Sequence, residues 1–149
     1  MVNQGKKELL KNVSLNLLAE GKTIRIKASG YSMYPCIKPG SVILIESLKE
    51  KGKPRPGEII AIRRGNGLIV HRLVKTIMKD GIEYFVARGD SNSREDEPVK
   101  LGMIAGRVVS TEISMKNTDI RSNTKPSYFR NRLRVIWIIL WKKIGNRLR

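Results

Sequence analysis

Short runs of strand-like pattern, cut apart by tight-turn dipeptides, constrain this chain more than any other feature. "TIRIKA" (23–28) alternates apolar and basic residues with period two, the pattern of a strand with one buried face. "SVILIESL" (41–48) and "EIIAIR" (58–63) also read as strands, and "KEKGKPRPG" between them is too rich in Gly and Pro for a regular element. "GNG" at 65–67 and "KDG" at 79–81 tolerate the positive φ that tight hairpins require. They bracket "LIVHRLVKTI" (68–77), and "IEYFVAR" (82–88) pairs after the second turn. The polar loop "GDSNSREDEP" (89–98) leads into "MIAGRVVSTEI" (103–113), a further strand in which Gly106 points to a bulge or close packing.

The two ends read differently. Leu10, Val13, Leu17 and Leu18 stand at helical spacing, and Gly21 supplies a stop, so residues 1–22 are expected to form an amphipathic helix. After a polar linker (114–127), residues 128–149 place Leu133, Ile136, Trp137, Leu140, Ile144 and Leu148 along one helical stripe bordered by Arg and Lys. A chain of 149 residues that is 40% hydrophobic suits one core. The expected fold is therefore mostly β: a small β domain at 23–113 with amphipathic helices at both termini.

Net charge is +17, and residues 112–149 hold ten basic and only two acidic side chains. The tail, rather than the core, is thus expected to meet an anionic surface. An interfacial helix would set Trp137 and Trp141 at headgroup depth while Arg and Lys engage anionic lipid; docking into a partner's groove or onto its own domain are the other readings. Nucleic acid is not expected as a partner, because "VIWIILW" (135–141) is too apolar for a solvated helix on DNA. Cys36 is the only cysteine, so no intrachain disulfide is available and a reducing compartment fits. The N-terminus lacks the apolar stretch of a secretory signal, and uncharged runs fall short of the roughly 20 residues that span a bilayer. The expectation is a cytoplasmic protein, peripheral at most to a membrane.

"GYSMYP" (30–35) sets one hydroxyl in a tight loop directly after a strand. A serine attacks a carbonyl only when a neighbouring base takes its proton, and the base works best when a third group holds its tautomer. Ser32, His71 (the sole histidine) and either Asp90 or Asp96 could fill those roles, although they lie on separate segments and spacing alone does not join them. The plainer alternatives are a turn serine, a strand histidine and a solvated acidic loop. Cys36 reads as a small packing residue.

The same segments resemble a known family. "SGYSMYPCIKPGSVILIE" (29–46) is similar to the nucleophile box of the signal peptidase superfamily and of its soluble relatives, the self-cleaving SOS repressors. "PGEIIAIRRGNGLIVHRLVK" (56–75) resembles the next two boxes, and "ARGDSNSREDEP" (87–98) the Gly-Asp box. Val70-His71-Arg72 is similar to the histidine-base branch, the endoplasmic-reticulum and archaeal type, rather than to the lysine branch. The resemblance implies Ser32 as nucleophile and as donor of one oxyanion-hole N–H, and His71 as general base and then acid. It implies Asp96 as the orienting carboxylate, Asp90 as a brace for its loop, and Met33 and Pro35 at the substrate groove. Relatives carry a serine two positions before the nucleophile where this chain has Gly30, so no second oxyanion donor follows from it. No cofactor and no metal are implied.

The expected activity is a serine endopeptidase that cuts a leader or signal-like peptide from a precursor. Two rivals are a catalytically silent peptide-binding module and a self-cleaving regulator. The second would usually carry a DNA-reading unit, for which residues 1–22 are too short.

Overall fold

The computed structural model describes residues 2–49, 52–65, 67–113, 116–119, 133 and 135–138. A helix, α1 (Val2–Ala19), precedes eight strands: β1 (Ile24–Lys27), β2 (Val42–Glu46), β3 (Ile59–Arg64), β4 (Gly67–Lys79), β5 (Ile82–Arg88), β6 (Val99–Lys100), β7 (Ile104–Ile113) and β8 (Lys116–Asp119). A single 3₁₀ turn, Leu101–Met103, links β6 to β7. The sheet runs β1-β2-β7-β3-β4-β5-β6 with every pairing antiparallel. The chain is mostly β, as its alternating pattern requires.

Each element follows from its residues. α1 stops where the N–H of Gly21 reaches the carbonyl of Leu18 (3.1 Å) and that of Lys22 reaches Leu17 (2.9 Å), with Gly21 at φ 91°. This is the left-handed glycine cap that ends many helices. Among the described side chains of the stripe, Leu18 is enclosed and Leu17 packs beside it, whereas Val13 is 46% exposed. The helix expected from the spacing is present, and it lies against β1 and β7.

The run Ile59-Ile60-Ala61-Ile62 has no polar face because β3 is buried on both sides. Ile59 and Ala61 join a core cluster with Ile24, Met33, Ile37, Ile43 and Ile45, while Ile60 and Ile62 join a second cluster with Leu73, Phe85, Ala87 and Val99. Asp80 and Gly81, both at positive φ, make the turn between β4 and β5. At Gly106 a Cβ would lie 2.3 Å from the backbone oxygen of Glu46, so close packing of β7 on β2 fixes a glycine there.

Two elements escape the alternation pattern. β6 has only two residues, and β8 lies inside the stretch read as polar linker. β8 pairs with the end of β7 on the edge opposite β2, so backbone hydrogen bonding rather than apolar patterning makes it a strand. Most of the expected C-terminal helix at 128–149 lies outside the described residues. Leu133 and residues 135–138 are helical, with Leu133, Ile136 and Trp137 exposed.

Candidate active site

Ser32 sits in the turn that joins β1 to β2. The turn is held from within by hydrogen bonds from the Tyr34 N–H to the Tyr31 carbonyl (3.0 Å) and from the Ile37 N–H to the Met33 carbonyl (2.8 Å). Met33 and Ile37 are buried below it and anchor it to the first core cluster. Ser32 itself stays half-buried, and its N–H has no acceptor among the described residues. A cis peptide bond joins Tyr34 to Pro35.

A cleft of about 250 Å³ opens beside the serine. Its walls are the end of β1 and the following residues (Ile26 to Gly30), Ser32 and Met33, and Leu68, Ile69 and Val70 of β4. Met33 lines this cleft and Pro35 does not. β1 is the terminal strand of the sheet. β4 pairs with β3 over residues 67–72, but β5 takes up the other edge only from Arg72 onward. Backbone edges on both sides of the cleft are thus open among the described residues.

His71 is the last residue of β4 before β5 covers that edge. It is 7% exposed, and its Nδ1 lies 2.5 Å from Oδ2 of Asp96. A carboxylate at Nδ1 favours the tautomer that donates from that nitrogen, and in the neutral ring this puts the lone pair on Nε2, the nitrogen a general base uses. Asp96 is positioned by its own N–H, which donates to the Ala87 carbonyl (2.8 Å). Among the described residues no hydrogen bond joins Ser32 to His71; the two are related through Val70, which lines the serine's cleft and precedes the histidine. Catalytic hydrogen bonds commonly tighten only when substrate is bound.

Asp90 is placed elsewhere. Its two oxygens receive Nε and Nη2 of Arg72, each at 2.9 Å, in a pair that is almost fully enclosed. Arg72 also donates to the Gly57 carbonyl at 2.7 Å. Burial works against the arginine's charge, but the Asp90 hydrogen bonds and carboxylate outweigh it and hold the guanidinium above its ordinary pKa. Cys36 abuts the same pair; burial pushes its thiol up from the usual range, with Arg72 acting in the opposite sense. A raised thiol pKa keeps Cys36 protonated and unreactive at neutral pH.

Arg72 and Ser91 are the residues that motif reading passed over, although both stand next to residues it picked. The Ser91 N–H donates to the Ser32 carbonyl (2.8 Å) and its hydroxyl to the Tyr34 carbonyl (2.7 Å). Among the described residues no group of three or more His, Cys, Asp or Glu side chains is placed to hold a metal. No helix of the described residues is long and apolar enough to cross a membrane.

A protein-family model with the description Peptidase S24-like matches residues 3–109. Comparison with curated proteins returns no match. The family match spans α1, the serine turn, both hairpins and the acidic loop, and the chain belongs to the Peptidase S24-like family. Membership places it, at that coarse level, among serine peptidases and self-cleaving regulators.

Proposed function

We propose that this Peptidase S24-like chain is a serine endopeptidase of the histidine-base type, acting in trans on a leader or signal-like peptide. The carrying observation is the 2.5 Å contact of His71 Nδ1 with Asp96 on the strand that walls the serine's cleft. In this reading the peptide lies extended between β1 and residues 67–71 of β4, and pairs with their open edges. Ser32 Oγ attacks the scissile carbonyl carbon while its proton passes to His71 Nε2. The Ser32 N–H stabilises the oxyanion. His71 then gives the proton to the leaving amine, the C–N bond breaks, and an acyl-enzyme remains. Water, deprotonated by the same nitrogen, hydrolyses the ester and frees Ser32. The Ile26, Ala28, Met33 and Val70 lining suits small apolar side chains near the cut.

The test is mass-spectrometric profiling of a mixed peptide library. Ser32→Ala and His71→Ala should abolish cleavage while staying folded, and Asp96→Asn should lower kcat on the order of 10³- to 10⁴-fold by spoiling the imidazole tautomer. Undiminished cleavage by any of the three would remove its residue from the mechanism. Family membership also supports the self-cleaving regulator, which loss of intact mass on incubation without substrate would reveal.

Localisation follows the same reading: a protein held at an anionic cytoplasmic membrane surface through the basic C-terminal segment. The exposed Leu133, with Ile136 and Trp137 three and four residues after it in helical backbone, supports it.

A further inference from the structure

We infer that Ser91 is a positioning residue for the nucleophile, so that one loop sets both the base and the serine. This rests on the reading of Ser32 as nucleophile. The loop after β5 carries Asp96, which meets His71, and five residues earlier Ser91, which holds two carbonyls of the serine turn, Ser32 O at 2.8 Å and Tyr34 O at 2.7 Å. The turn's internal hydrogen bonds run from Tyr34 and Ile37 and leave the Ser32 carbonyl to the main-chain N–H of Ser91, while the Ser91 hydroxyl ties the same turn down two residues later at Tyr34. The hydroxyl thus holds the turn against the loop so that the main-chain contact at Ser32 persists, and keeps Oγ and the Ser32 N–H aimed along the cleft.

The clamp has a rigid foundation. Asp90, directly before Ser91, is locked on Arg72 by two 2.9 Å hydrogen bonds, and Arg72 follows His71 in β4. Gly89 approaches so closely that a Cβ there would lie 2.8 Å from the Ser32 carbonyl oxygen and from the side-chain Nδ2 of Asn92. The main-chain N–H of Asn92 closes on the Gly89 carbonyl at 2.9 Å. The distance between base and nucleophile is therefore set through residues 89–91 as well as through the sheet. A misplacement of about 1 Å at a reacting group can cost on the order of a hundredfold in rate.

The experiment compares wild type, Ser91→Ala, Ser91→Thr and Ser32→Ala on a peptide cleaved by wild type, with hydrogen exchange of residues 31–37 read in parallel on each full-length protein. Ser91→Ala should lower kcat on the order of tenfold to a hundredfold with KM changed less than about twofold, and should speed exchange at 31–37. Ser91→Ala keeps the main-chain N–H on Ser32 and removes only the hydroxyl on Tyr34; Ser91→Thr restores that hydroxyl and should restore most of kcat. Should Ser91→Ala not fold, Ser91→Cys keeps the shape with a weak donor and should show a smaller loss in the same direction. Unchanged kcat in a folded Ser91→Ala, or a loss confined to KM, overturns the proposal, as does failure of Ser91→Thr to recover kcat. If Ser32→Ala cleaves like wild type, the peptidase reading fails on its own account; unchanged exchange at 31–37 in Ser91→Ala then refutes the clamp separately.

Discussion

His71 and Cys36 show how two reactive side chains near one turn are given different fates. His71 is enclosed but meets a carboxylate at Nδ1, which leaves Nε2 to take a proton. Cys36 lies a few residues beyond Ser32, yet burial raises its pKa and the thiolate is suppressed. Its alkylation by iodoacetamide at pH 7.5 should be about tenfold or more slower in the folded protein than in urea, and should accelerate as pH rises and the thiolate fraction grows. Folded-state labelling as fast as in urea would show that burial does not govern this thiol. The choice between Asp90 and Asp96 was not legible from spacing. Both lie in one loop, and what separates them is their partners: the buried Arg72 captures Asp90, while Asp96, held by its N–H on the Ala87 carbonyl, meets the histidine.

Among the elements, β4 does most to build the site, because it changes partners along its length. Its first half borders the cleft, His71 marks the change, and Arg72 anchors the acidic loop. Removing one member of a buried ion pair leaves the other charged and desolvated, so Arg72→Met should cost about 3–5 kcal/mol of stability by urea unfolding. Arg72→Met combined with Asp90→Leu should cost less. A single variant within 1 kcal/mol of wild type would mean that water reaches Asp90 more freely than its 1% exposure indicates. The long strands and both hairpins were legible because alternation and Asn-Gly or Asp-Gly turns are local signals. β6, β8 and the shallow packing of α1 were not, since a two-residue strand and a run of four polar residues become strand only beside a partner already in place, and helical spacing does not say how far a stripe is covered.

At the scale of the molecule, a β domain with a small cleft carries a C-terminal segment of very different composition. Its basic residues and exposed Leu133, Ile136 and Trp137 fit the interfacial role proposed for it. Deleting residues 128–149 should weaken co-sedimentation with anionic vesicles without impairing cleavage of soluble peptides, and raising salt from 0.1 to 1 M, which shortens the Debye length from about 10 to about 3 Å, should weaken binding of the intact chain. Salt-insensitive binding, or equal binding after deletion, would assign the segment another role. If Ser32 is the nucleophile proposed above, every cut depends on it. Mass-spectrometric profiling of a mixed peptide library with anionic vesicles present, wild type against Ser32→Ala, should show cuts made by wild type and missing from the mutant, beside small apolar residues. Cuts of equal yield from both proteins would contradict a serine peptidase built on Ser32.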